Sequence, residues 1–178
     1  MELRERRDED LAGAVRLLEQ VHAADGYPSR WPPDPGAWLR PGGVRGAWVV
    51  LDGPEGSPGG AVLGHVALVD RAPGRGLESD APLEVVRLFV DPARRRCGVG
   101  RLLLAAAVDR ADELGLVVDL QVVAASSGAV AAYERLGWRE VRRHAAAWTS
   151  ASGEHPEVAR MVPPPVHADP SRGRDAVR

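Results

Sequence analysis

The sequence predicts the α/β class, a single domain built on a central mixed β-sheet flanked by helices. Three observations point there. An apolar, β-branched run at residues 83–90 ends at Asp91-Pro92, then passes through Arg95-Arg96-Cys97-Gly98-Val99-Gly100 into strong helix formers that continue to Leu114. A second apolar strand follows at residues 117–124, after Gly115 supplies the helix stop. Upstream, residues 47–51 and 61–69 flank a Gly/Pro loop and read as a hairpin. At 178 residues, 44% of them hydrophobic, the chain can bury one core without metal or disulfide support.

Taken in order, residues 3–6 form a first strand. Residues 8–21 form an amphipathic helix, with Leu11, Val15, Leu18 and His22 at helical spacing. Residues 26–43 are turn-rich, because Tyr27-Pro28, Trp31-Pro32-Pro33 and Pro41-Gly42-Gly43 break regular structure, yet residues 35–39 can hold a short helix. The hairpin and the 83–90 strand come next, then a helix of about four turns, the 117–124 strand, a helical segment over 126–138 and a last strand at 157–162. The expected order is β-α-α-β-β-β-α-β-α-β, in a domain spanning residues 1–162. Residues 163–178 hold Pro, Gly and charge without periodicity and read as a disordered tail.

The glycine junction reads as an anion cradle. A first helical turn leaves backbone N–H groups unpaired, and glycines there remove the Cβ atoms that would hold an anion off. The positive end of the helix favours a phosphate, and Arg95, Arg96 and Arg101 add full charges. The plain alternative is a tight turn. Two nucleotide signatures are ruled out: the chain has no lysine for a G-x-x-x-x-G-K-[ST] loop, and Leu103 stands where G-x-G-x-x-G needs its third glycine. The spacing of Arg95, Gly98 and Gly100 resembles instead the [QR]-x-x-G-x-[GA] pyrophosphate loop of the GCN5-related N-acetyltransferase (GNAT) family.

The resemblance continues in Ser126-Ser127-Gly128-Ala129-Val130-Ala131-Ala132-Tyr133-Glu134-Arg135-Leu136-Gly137-Trp138, which is similar to the family's Asn-x-x-Ala-x-x-x-Tyr-Glu-x-x-Gly-Phe segment. Ser126 replaces the usual Asn, which puts one pantetheine hydrogen bond in doubt, although a serine hydroxyl can cap the helix. Trp138 replaces Phe and keeps an aromatic wedge. The whole sequence lacks asparagine and isoleucine, so biased composition explains the first departure better than a loss at one site. The element order is the family's, and the similarity runs from Leu3 to Val162.

The resemblance implies a GNAT fold with splayed central strands, acetyl-CoA as cosubstrate without a metal, and direct acetyl transfer to a primary amine. It implies acetyl-CoA contacts from Leu88, Phe89, Val90, Arg95, Arg96, Cys97, Gly98, Val99, Gly100, Arg101, Ser126 and Tyr133. Leu88, Phe89 and Val90 would act through main-chain N–H groups that polarise the thioester. Tyr133 would donate the proton taken up by the departing thiolate, and otherwise it is a core aromatic. Glu84, on one strand face with Val86 and Leu88 by period-two alternation, is the candidate base for the acceptor ammonium, against a solvated or arginine-paired glutamate. His65 is a second base candidate, or a hydrogen-bonded structural histidine.

Cys97 could be a reactive thiol at a helix N-terminus, but no histidine partner lies nearby in sequence and a spacer role suits it better. A net charge of −2 and the lack of an aromatic stripe argue against nucleic-acid binding by the Arg94–Arg96 run. No apolar run is long enough to span a bilayer and the N-terminus lacks a secretory h-region, so a cytoplasmic protein without membrane contact is expected. The acceptor, a small molecule or a peptide amine, would be chosen by residues 25–40 and 142–157, where Asp25, Tyr27, Trp31, Trp38, His144 and Trp148 suggest an aromatic, mildly acidic pocket for a small cationic amine. Exposed tryptophans suit a homodimer interface equally well. Two rival functions share these features: an acyl-CoA-binding sensor without turnover, and O-acetyl transfer on the same fold.

Overall fold

The structure, a computed structural model, describes residues 1–53, 60–71, 81–150 and 152–165. Seven strands form one sheet: β1 (Glu2–Glu5), β2 (Val44–Leu51), β3 (Val62–Asp70), β4 (Leu83–Val90), β5 (Val118–Val123), β6 (Arg139–Ala145) and β7 (Glu157–Val162). Their order across the sheet is β1-β2-β3-β4-β5-β7-β6. The sheet is mixed, since β4 and β5 pair parallel and every other neighbouring pair is antiparallel. Of the expected tail, only residues 163–165 are described, and the remainder lies outside the described residues.

β6 is a strand beyond the expected order. Its sequence, Arg-Glu-Val-Arg-Arg-His-Ala, sits at the sheet edge and is mostly exposed, so it carries no alternating apolar signal. Edge charge discourages pairing with another chain at the cost of legibility.

Helices cover the two faces unequally. α3 (Val99–Glu113) and α4 (Ser127–Arg135) lie on one face, where Leu103, Leu104 and Ala107 meet Leu83, Val85, Leu120 and Met161. α1 (Leu11–Asp25) packs on the opposite face over β3 and β4, burying Leu11, Leu17, Leu18 and Val21 against Val49 and Phe89, beside the short α2 (Pro35–Trp38). α1 starts later than expected because Asp8–Asp10 forms a separate 3-10 turn. Asp10 holds that turn: it takes two 2.7 Å hydrogen bonds from Arg4 and a third of 2.7 Å from the Arg7 N–H. α3 ends as expected at Gly115 (φ +67), where the Leu116 N–H donates to Ala111 and the Gly115 N–H to Asp112.

Gly64 on β3 decides how closely α3 approaches. A Cβ there would lie 2.8 Å from both Leu103 Cδ1 and Val99 Cγ1, so only glycine lets the first turn of α3 sit down on the sheet. That first turn is one wall of the candidate site.

Candidate active site

β4 and β5 part company. Their pairing covers only Leu83↔Val118, Glu84↔Asp119 and Val85↔Leu120, although β4 runs on to Val90 and β5 to Val123. The cause lies on the other edge of β4. From His65 to Ala67, β3 advances two residues while β4 passes from Phe89 back to Val86, so an extra residue is accommodated at Arg87 and Leu88. Arg87 takes the left-handed conformation (φ +54) that such a bulge demands, and β4 bends away from β5.

The bulge sets which groups face the opening. The Asp91 N–H donates to Leu63 on β3 at 2.9 Å, so strand alternation turns the Phe89 N–H to β3 and those of Leu88 and Val90 toward the split. Phe89 itself is buried on the α1 face, its ring stacked on His65 at 5.2 Å. Simple alternation over the whole strand places Glu84, Val86 and Leu88 on one face, and the bulge corrects this. Leu88 and Val90 pack on the α3 side with Leu83 and Val85, while Glu84 and Val86 look to the α1 side.

At the mouth of the split the cradle is open. Gly98 is the N-cap of α3 in the left-handed conformation (φ +88), Arg96 before it has φ +65, and no side chain caps the helix. A Cβ on Gly98 would meet nothing within 4 Å, and one on Gly100 only Val90 Cγ2 at 3.7 Å. Successive amides turned by left-handed residues at an uncapped helix start make an anion nest. Val99 is buried in the core, whereas Arg96, Cys97 and Arg101 are exposed. Arg95 is bound elsewhere: both its terminal nitrogens hold Asp25 at the end of α1, one at 3.0 Å. Asp25 therefore neutralises a cradle arginine instead of lending acidity to an acceptor pocket.

Two phenols pack on opposite sides of the sheet. Tyr133 on α4 packs against the α3-side core, its ring 6.2 Å from that of the buried Trp138. Tyr27, after α1, packs in the α1-side cluster 6.1 Å from Trp38. Burial pushes Tyr27 up to about 12 against the pull of Arg87. Burial also raises Tyr133, and nearby Tyr27 adds to the effect, so its proton stays on the oxygen at neutral pH. Ser126 stands at the N-cap of α4, where its carbonyl takes the Ala129 and Val130 N–H groups at 2.9 and 3.0 Å. Its exposed hydroxyl makes no cap bond.

Glu84 is buried, with Arg71 Nη1 3.6 Å from its Oε2. Asp119, its register partner on β5, is fully buried between Arg71 and Arg160, the latter donating at 2.5 Å. His144 lies on the same face of β6, its imidazole pushed down by burial and by Arg142, Arg160 and Arg71. His65 is fully buried on the α1 side. Its Nε2 sits 3.0 Å from the Arg6 guanidinium and its Nδ1 3.0 Å from the Arg87 carbonyl, so the ring pins the bulge. Trp31 and Trp38 join Tyr27 in the α1-side cluster, Trp31 touching His22 at 5.1 Å, while Trp148 is an exposed residue between β6 and β7.

Sequence reasoning missed Arg71, Arg87, Asp119 and Arg160. The available signal was a charge inside an apolar strand, at Arg87 in β4 and Asp119 in β5. Among the described residues no helix is long and apolar enough to cross a membrane, and no group of His, Cys, Asp or Glu is placed to hold a metal ion.

Residues 9–138 match the family model described as Acetyltransferase (GNAT) family. The fold is similar to the ribosomal-protein-S18-alanine N-acetyltransferase of Escherichia coli, with a TM-score of 0.63, 20% identity and 92% of each chain covered. It is similar to Arabidopsis thaliana NAA60 in complex with acetyl-CoA (TM-score 0.66, 19% identity, 90% of this chain and 96% of that one). A third likeness is to a chimera of the spermidine N-acetyltransferase SpeG from Vibrio cholerae and hSSAT (TM-score 0.65, 20% identity, 91% and 93% covered). No curated protein matches the chain in sequence.

Proposed function

The chain belongs to the acetyltransferase (GNAT) family, and we propose that it moves an acetyl group from acetyl-CoA directly to a primary amine within a ternary complex. The observation that carries this is the split between two parallel strands, with an open, uncapped helix start at its mouth. Acetyl-CoA supplies the activated thioester. Amides at the start of α3, with Arg96 and Arg101, hold its pyrophosphate, and Ser126 offers a hydroxyl beside α4. Leu88 and Val90 present N–H donors where negative charge develops on the carbonyl oxygen. Glu84 takes the proton from the acceptor ammonium, through water where needed, and Tyr133 returns one to the thiolate sulfur. The acceptor ammonium loses two protons on becoming an amide: Glu84 takes the first and passes it to solvent, and the second, lost from the nitrogen as the C–S bond breaks, replaces the proton that Tyr133 gives the thiolate, so amide, free thiol and one released proton balance.

Cofactor capture is tested by Gly100→Glu. A Cβ fits beside Val90, so the fold accepts the change, while the carboxylate stands against the pyrophosphate. Acetyl-CoA should raise the melting temperature of the wild type and leave that of the variant where it was. Equal shifts in both proteins reject the cradle.

The base is tested by Glu84→Gln. Turnover should fall by about 10² at neutral pH and recover in alkaline buffer, where the amine deprotonates by itself. A glutamate that serves only its ion pair with Arg71 would lower stability and leave the shape of the pH–rate profile alone.

A further inference from the structure

We propose that the chain has a second binding site, remote from the cradle, which takes a small organic ammonium ion. It is a cavity of about 440 Å³ between the later part of α3 and strands β1 and β2, at the edge of the sheet. Asp109, in its wall, lies about 16 Å along α3 from Gly98. No residue assigned to acetyl transfer lines the cavity, so the site is independent of that reading.

The aromatic part of the site is Trp48 on β2, which packs on the α3-side core and still lines the cavity. Its ring lies back along the strand over Gly46, where a Cβ would come within 2.7 Å of the indole Cζ2. Any residue but glycine at 46 would push the indole away. Glu5 on β1 is the register partner of Trp48, so a carboxylate stands beside the indole across the strand pair. Asp109 on α3 brings a second carboxylate from the helix side.

The charges around the cavity decide the sign of its ligand. Both arginines in the lining are already held: Arg45 donates to Asp70 at 2.8 Å, and Arg110 donates to Glu113 at 2.9 Å and to the Arg45 carbonyl at 3.3 Å. Among the described residues, the carboxylates of Glu5 and Asp109 have neither a hydrogen bond nor an ion pair. Two uncompensated acids are therefore left beside an indole, at the negative end of α3. Carboxylates and an aromatic ring attract the same ligand, an ammonium ion. The cavity has the size that holds an organic molecule, and no group of three or more His, Cys, Asp or Glu among the described residues is placed to hold a metal ion.

The test titrates the isotope-labelled full chain with tetramethylammonium, which has no N–H to acetylate, and with tert-butanol, a neutral molecule of similar shape. Binding is followed by NMR at the Trp48 indole N–H and the Asp109 amide. Tetramethylammonium should shift both resonances saturably with a Kd of about 10 mM or tighter, and tert-butanol should bind about tenfold or more weakly. About 0.5 M salt should weaken the cation and leave the alcohol alone. Glu5→Gln combined with Asp109→Asn changes two exposed side chains without altering their shape, so the variant should fold, as its spectrum checks. Its Kd for tetramethylammonium should rise about tenfold or more. Trp48→Leu, read at the Asp109 amide, should weaken binding about fivefold or more; should that variant unfold, the acid pair decides alone. No saturable shift at these two resonances up to about 100 mM, equal affinity for tert-butanol, or affinity that survives the double substitution or a folded Trp48→Leu overturns the proposal. Shifts confined to the Tyr27 and Trp38 cluster overturn it as well, and leave acetyl transfer standing.

Discussion

Tyr133→Phe is expected to lower acetyl transfer by roughly 10² to 10⁴ while acetyl-CoA binds almost as before. The change keeps the ring packed against Trp138 and the α3-side core and removes only the oxygen. Burial holds the phenol protonated well above neutral pH, which keeps a proton in place for a leaving thiolate and leaves no phenolate to act as a base. The loss should therefore appear in kcat and kcat/KM together, as for a group that acts in the transition state. It should shrink with thioesters whose thiols are more acidic, since these need less help in leaving. Unchanged turnover would leave Tyr133 as core packing, and acetyl-CoA binding without turnover of any acceptor in the wild type would favour the sensor.

The parts of this site that lie together along the chain were legible in the sequence. The 83–90 strand, the glycine turn, the helix stop at Gly115 and the Tyr133 segment each carry their own local chemistry, and each stands close to its expected place. The parts that depend on pairing were not. The bulge at Arg87 exists only in the register between β3 and β4, so alternation along one strand put Leu88 on the wrong face. Asp25 looks like a free acid until the fold brings it to Arg95, 70 residues away. Asp119 resembles an interruption in an apolar strand until Arg71, just past the end of β3, and Arg160 on β7 close on it. β6 escaped because an edge strand need not bury a face.

His65 should make the protein acid-labile. Arginine is only a donor, so the contact with Arg6 makes His65 Nε2 the acceptor and puts the ring proton on Nδ1, facing the Arg87 carbonyl. Protonation would set two donors against each other inside the core. Burial chiefly, and then the charges of Arg6 and Arg87, push the imidazole down to about 4, although its bond to the Arg87 carbonyl works the other way. An unfolded chain binds this proton below about 6.5 and the folded one only near 4, so the stabilisation is complete above 6.5 and drains away as pH falls across that interval. Across the whole window the loss is on the order of 3 kcal/mol, a large share of the 5–15 kcal/mol typical of a domain. Urea denaturation of the wild type and of His65→Gln at pH 7.5 and pH 4.5 isolates it. The glutamine can accept from Arg6 and donate to Arg87 without titrating, so the variant should lose about 2 to 3 kcal/mol less than the wild type over that range. Parallel losses in the two proteins would assign the acid sensitivity to the carboxylates, and His65 would then hold the bulge at no cost in pH.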